Sequence, residues 1–245
     1  MRHRGFVLGR LGPAAVVAAL GVAAAQTGGD DILLVIARQC VQNRPAPCVL
    51  ADPAHGYVIL KDQRGDTQWL LIATDPRAGV EDPAIRAASA PNYFAEAWSA
   101  RACVSRLAGK DLPDGALSLA INAPGGRSRA QLHIHIDRVD PAVADLLGRD
   151  VKRLAWAARD YRVDHVDTLD LDPVAGNLFA RVHALGAGDP TIIVIGDPAG
   201  GFYLLTDFAP GASGEALQVP HRGQKLDQAV LDADTAKAAG CADPR

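Results

Sequence analysis

His133 and His135 stand one residue apart in Gln131-Leu132-His133-Ile134-His135-Ile136-Asp137. Strict period-2 alternation predicts a β-strand here. Leu132, Ile134 and Ile136 then point to one face, and Gln131, His133 and His135 to the other. Two imidazoles and an amide form a row, roughly 7 Å apart at alternate positions. The plain reading is a polar outer face that happens to carry histidine. Two chemical readings compete with it. In the first, the imidazoles are metal ligands, but zinc needs a third ligand and an open position. No H-E-x-x-H or C-x-x-C occurs in the sequence to complete such a site. In the second, a strand-held imidazole attacks phosphorus and forms a covalent intermediate, splitting one hard displacement into two easier ones.

The preceding segment favours phosphorus chemistry. Asn122-Ala123-Pro124-Gly125-Gly126-Arg127-Ser128-Arg129 is a Gly/Pro turn carrying an amide, a hydroxyl and two guanidiniums. Backbone N–H groups at such turns form anion-binding nests. Arginine adds planar donors that suit phosphate oxygens.

Together these residues resemble the histidine-triad superfamily of nucleotidyl hydrolases and transferases. Its pattern is His-φ-His-φ-His after an Asn and a Gly-rich turn, with a Ser five residues before the middle His. Ser128 and His133 keep that spacing, and Gln131 stands where the first His would be. More of the chain is similar to one branch, the CDP-diacylglycerol pyrophosphatases. The matching segments are Gly56-Tyr57-Val58-Ile59-Leu60-Lys61-Asp62, Pro91-Asn92-Tyr93-Phe94, Ala97-Trp98-Ser99-Ala100-Arg101, Leu117-Ser118-Leu119-Ala120-Ile121-Asn122 and the His strand. The resemblance implies hydrolysis of CDP-diacylglycerol to CMP and phosphatidate without a metal or other cofactor. It implies His133 as nucleophile at the cytidine-side phosphorus, with His135 and Gln131 on the non-bridging oxygens. Asn122, Ser128 and the turn amides would hold the phosphates, with Arg127 a further candidate. A backbone carbonyl should hold the far nitrogen of His133. The rivals are a metal-dependent phosphohydrolase using His133 and His135, and a non-catalytic nucleotide- or lipid-binding module.

Several elements must position that strand. Residues 57–60 and 68–72 read as strands joined through a turn with Gly65. Lys61 faces either a phosphate or solvent. Residues 74–90, rich in Pro, Gly and Asp, read as a loop over the site. Residues 92–107 form the main helix, between Pro91 and Gly109. Its stripe includes Phe94, Ala97 and Trp98, with Trp98 read as packing. Residues 117–121 are a strand leading into the turn, and Asp140-Pro141 opens a helix to Leu147. The layout is α+β, an antiparallel histidine-triad-like sheet with packed helices. A short helix precedes it at 32–39.

Residues 151–245 form a second half. Residues 191–195 and 202–206 flank a Gly/Pro/Asp loop, and this resembles the hairpin of residues 58–74. It is either a degenerate internal copy, making a pseudo-dimer of the chain, or an ordinary second hairpin. It has no H-x-H, so one site is expected, in the half formed by residues 26–150. Residues 160–171 read as an edge strand and 226–239 as a helix. His55, His165, His183 and His221 read as surface or satisfied core residues.

Residues 1–25 combine Arg2, Arg4 and Arg10 with an apolar run from Leu11 that ends Ala23-Ala24-Ala25. This reads as an export signal, or, by the resemblance, as an uncleaved inner-membrane anchor. Either places the globular part in the periplasm. Without those residues, 22 Lys plus Arg face 28 Asp plus Glu, a net charge of −6. That argues against nucleic acid, which needs a basic patch, and offers no polybasic membrane patch. Contact with a membrane surface would be local and apolar. Cys40, Cys48, Cys103 and Cys241 are an even set in an exported chain, so disulfides are expected. Cys40–Cys48 and Cys40–Cys241 are both open pairings.

Overall fold

The computed structural model describes residues 31–42, 47–149, 151–172, 176–221 and 225–242. The export-signal or anchor reading of residues 1–25 lies outside them. Among the described residues no helix is long and apolar enough to cross a membrane.

Nine strands build one antiparallel sheet. They are β1 (Cys48–Asp52), β2 (Tyr57–Lys61), β3 (Trp69–Ala73), β4 (Leu117–Ile121), β5 (His133–Arg138), β6 (Arg153–Trp156), β7 (Arg159–Val166), β8 (Thr191–Gly196) and β9 (Phe202–Asp207). Across the sheet the order is β1-β2-β3-β5-β4-β8-β9-β7-β6. β2, β3, β4 and β8 are buried along their whole length, which fits their near-continuous apolar sequences.

Helices cover both faces. On one lie α2 (Tyr93–Ser99), α3 (Ala102–Ala108) and α5 (Leu178–His183), packed on Trp69, Leu71, Leu119, Ile134, Ile136 and Val194. The opposite face carries two separate patches. α1 (Ile32–Val41) covers Val58, Leu60, Leu70 and Ile72. α4 (Pro141–Leu147) and Leu217 pack with Ala120, Ile193, Ile195 and Leu205. Between these patches runs β5, with its histidines on the partly uncovered face. α6 (Gln228–Lys237) lies against β1 and β2.

Three readings change. The helix of residues 92–107 is two helices. Ser99 Oγ donates to the Glu96 carbonyl at 2.6 Å, and Arg101 Nη1 to the Trp98 carbonyl at 3.0 Å. These bonds occupy acceptors of the last turn, and the backbone there takes i→i−3 bonds instead. The edge strand is β6, not the one expected at 160–171, since β7 pairs with both β6 and β9. Four residues are too few for periodicity to reveal β6. Lys61 does not face solvent, although it belongs to the wall of the cavity described below. It is fully buried, and its ammonium donates to the carbonyls of Asp62 (2.9 Å) and Gly65 (2.8 Å), closing the β2–β3 turn.

All four cysteines are paired. Cys40–Cys48 joins α1 to β1, and Cys103–Cys241 joins α3 to the segment after α6. Cys40 therefore does not meet Cys241.

The strand order has a positional regularity. Outward from the β4·β8 seam run β4, β5, β3, β2 on one side and β8, β9, β7, β6 on the other. In sequence each side is hairpin, helix, hairpin. β8–β9 therefore sits opposite β4–β5, not opposite the β2–β3 hairpin it resembles in sequence.

Candidate active site

β5 is held centrally, with Ile72 opposite His133 on β3 and Ala120 opposite His135 on β4. Both imidazoles are buried, their ring centroids 5.0 Å apart and nearly edge-to-face. His133 Nδ1–H donates to the carbonyl oxygen of Gln131 at 2.7 Å. That fixes the tautomer and leaves Nε2 as the lone-pair nitrogen. The two rings line a cavity of about 830 Å³, together with Asn122, Gly126, Arg127, Ser128, Arg129 and Glu215. Its other wall has an apolar stretch, Ile32, Leu33 and Ile36 from α1 with Leu60, Leu70 and Leu231, and a polar one, Gln39 with Lys61, Asp62, Gln63 and Arg64 at the β2–β3 turn. Lys225 and Gln228 complete the lining near α6.

Not every expected ligand residue points into this space. Gln131 does not, because its amide is spent on backbone. Nε2 donates to the carbonyls of Ala73 (2.8 Å) and Asp75 (2.7 Å), and Oε1 accepts from Arg77 N–H at 3.2 Å. A loop needs its polar backbone satisfied when it packs on a sheet end, and this side chain does that. The Arg127 guanidinium forks onto the Glu81 carboxylate, with Nη1 to Oε2 at 2.8 Å and Nη2 to Oε1, and also reaches the Ala78 carbonyl at 2.7 Å. Gln131 and Arg127 thus lash the segment following β3. None of residues 74–90 lines the cavity, so that loop flanks the site rather than covering it. Ser128 and Arg129 are exposed at the cavity edge.

Asn122 is buried, and its Oδ1 accepts from Gly214 N–H at 2.7 Å. This bond pulls in a segment that sequence reasoning passed over. Thr191 Oγ1 holds the same segment through the Ala212 carbonyl at 2.7 Å. A Cβ on Gly214 would stand 2.8 Å from Ala120 Cβ, and one on Gly126 only 1.9 Å from the Ala212 oxygen. Only glycines allow both approaches. Glu215 is carried in beside the histidines: Oε1 lies 3.4 Å from His135 Nδ1, and Oε2 accepts from Asn122 Nδ2 at 3.3 Å. Nothing in the local sequence marks Glu215, which is remote from the His strand and lies in the second half.

Two other contributors had legible signals. Gln68 shares a face with Leu70 and Ile72 by strand alternation, and its Nε2 lies 3.0 Å from His135 Nδ1. Asp31 caps α1 through Leu33 N–H at 2.9 Å. Its other oxygen accepts from Ala130 N–H (2.9 Å) and Gln131 N–H (3.2 Å), joining α1 to the start of β5.

Burial pushes the His133 imidazole below its ordinary range, outweighing the Gln131 carbonyl, which acts the other way. Burial pushes His135 further, down to about 3, so it is neutral at physiological pH. His135 Nε2 is buried without a hydrogen-bond partner among the described residues. Burial would raise the Glu215 pKa, but the facing His135 and the donors Asn122 and Gln68 outweigh it and hold the carboxyl below its usual range. The site therefore presents two neutral imidazoles and an ionised carboxylate. Among the described residues no three His, Cys, Asp or Glu side chains are grouped to hold a metal ion.

His55, His165 and His183 are taken up elsewhere, by Asp52 (2.7 Å), Asp197 (3.0 Å) and Arg86 (2.6 Å). His221 Nε2 lies 3.7 Å from the buried Asp137 carboxylate, beside a smaller cavity.

A family model described as CDP-diacylglycerol pyrophosphatase matches residues 28–215. A CDP-diacylglycerol pyrophosphatase of Yersinia pestis is 34% identical over 191 residues, which cover 76% of this chain and 68% of that protein.

Proposed function

The chain belongs to the CDP-diacylglycerol pyrophosphatase family and is a hydrolase. From that premise we propose that it splits the pyrophosphate of CDP-diacylglycerol into CMP and phosphatidate through a nucleotidyl-histidine intermediate. One observation carries the covalent step. His133 is buried, neutral and tied at Nδ1, so Nε2 faces the cavity as a nucleophile whose orientation is already fixed. His135 Nε2, Asn122 and the amides of residues 127–129, the end of the turn that lines the cavity, are the groups for the phosphate oxygens, since Ala123 N–H is taken by Thr191 Oγ1 and Gly126 N–H by the Ala123 carbonyl. Ser128 and Arg129 meet the substrate at the edge. Gln131 and Arg127 act one step away, by holding the loop that follows β3. The apolar wall of Ile32, Leu33, Ile36, Leu60 and Leu70 suits the glycerol and first acyl carbons of a lipid nucleotide.

The wider reading is a histidine-triad-like fold duplicated within one chain. The mirrored strand order about the β4·β8 seam supports it, with β6–β7 answering to β2–β3 and β8–β9 to β4–β5. The places of His133 and His135 on β9 then fall to side chains such as Tyr203 and Leu205, so the copy carries no nucleophile. We also place the globular part in the periplasm at the inner membrane, where the substrate lies.

Hydrolysis in oxygen-18 water tests the bond broken. Attack by His133 on the cytidine-side phosphorus, followed by water at that same atom, puts the label in CMP and none in phosphatidate. Label in phosphatidate would exclude this route. His133→Gly, which removes the nucleophile alone, should lower kcat by about three orders of magnitude or more. A loss below roughly tenfold, worth about 1.4 kcal/mol, would make His133 a binding group only.

A further inference from the structure

Glu215 is out of place in a site for anions. A carboxylate beside a pyrophosphate weakens ground-state binding by like-charge repulsion. Among the described residues no Lys or Arg lies within ion-pair distance of it, although Arg64, Arg127, Arg129 and Lys225 line the same cavity. Arg127 forks onto Glu81 instead, and the partners of Glu215 are the neutral amides of Asn122 and Gln68 and the neutral His135 ring. The fold goes to some length to put it there. Gly214 presses against the sheet where no side chain would fit, anchored by Asn122 Oδ1. The Glu215 side chain is 27% exposed, so water reaches it within the cavity. The other carboxylate on the cavity wall, Asp62, is occupied at Oδ1 by Arg64 N–H at 3.1 Å within the β2–β3 turn.

We infer that Glu215 is the general base of the second displacement, taking the proton of the water that frees CMP from His133. This rests on the nucleotidyl-histidine reading. In the first step the leaving phosphatidate is a phosphate monoester and needs little help to depart. In the second, the water oxygen bonds to phosphorus while the P–N bond to His133 breaks. The bonding pair returns to Nε2, and the water proton passes to a Glu215 oxygen. CMP leaves, and the carboxyl then loses its proton to solvent. The second half of the chain, which has no nucleophile, would supply the base that completes the cycle.

The test is rapid-quench turnover of CDP-diacylglycerol, labelled in cytidine, in detergent micelles. Glu215→Gln keeps the Asn122 contact but cannot accept a proton. Its steady rate should fall by about a hundredfold or more, the usual worth of a positioned base. Its first release of phosphatidate should stay within about threefold of wild type, while cytidylyl-enzyme builds toward one per molecule. Glu215→Asp, which retracts the carboxylate, should show the same accumulation in milder form. A steady rate unchanged in Glu215→Gln would overturn the proposal. So would a first release slowed in step with turnover. If Glu215→Gln fails to fold, Glu215→Asp without accumulation overturns it equally. The parent reading fails differently: no cytidylyl-enzyme in any variant, with His133→Gly still active, removes the covalent step and this role with it.

Discussion

At the scale of single residues, burial decides what the two histidines can do. An unfolded chain takes up protons at His133 and His135 as pH falls below 6.5, and the folded protein resists both. Folded pKa values lie below unfolded ones, so this contribution to stability is present above pH 6.5 and lost as pH falls. For His135 the loss extends from 6.5 down to about 3. Denaturant midpoints measured between about pH 4 and pH 8 should fall on the acid side, and His135→Gln should flatten that slope. A wild-type slope retained in the variant would mean that other groups set it. The same depression keeps His133, the proposed nucleophile, unprotonated, so the acid limb of kcat/KM should lie below pH 6.5. An acid limb at or above 6.5 would assign that limb to another group. Gln131 shows what residue type and spacing conceal. Alternation put it in the histidine row, but three backbone partners claimed its amide.

Elements carried most of what the sequence made legible. The His strand, the 57–60 and 68–72 strands and the 117–121 strand all have apolar patterns strong enough to read, and each is found. β1 was hidden by the prolines around it, and β6 and α5 are too short for a period to show. Pairing of strands from opposite halves, such as β4 with β8, has no local signal, and Glu215 reaches the site through that pairing. Cysteine count predicted bridges but not partners. The pairing found gives the two staples unequal weight. By loop-closure entropy, a separation of 138 residues constrains the unfolded chain by about 5 kcal/mol, and one of 8 residues by about 2.5 kcal/mol. Replacing Cys103 and Cys241 together by Ser should therefore cost more in reversible unfolding than replacing Cys40 and Cys48. The reverse ranking would show that native-state packing around α1 outweighs chain entropy.

For the molecule as a whole, residues 26–150 do not line the cavity by themselves. Without β8 the β4 strand becomes an open edge, and an exposed apolar edge invites association. Glu215, Lys225, Gln228 and Leu231 would also be missing from the cavity wall. A fragment ending at residue 150 should be aggregated or inactive when expressed alone. A soluble fragment with wild-type turnover would refute this interdependence. The glycine contacts have an evolutionary corollary. Gly126 touches the Ala212 carbonyl, and Gly214 rests on Ala120 and Ile193. Neither position can drift without the other segment moving, so this part of the cavity surroundings is closed to gradual change. Variation is left to Ser128 and Arg129, which are exposed and unconstrained by such contacts. On the proposed reading, descendants of this chain retune what meets the cavity edge far more readily than what surrounds its histidines, and saturation libraries should find tolerant positions in that same order.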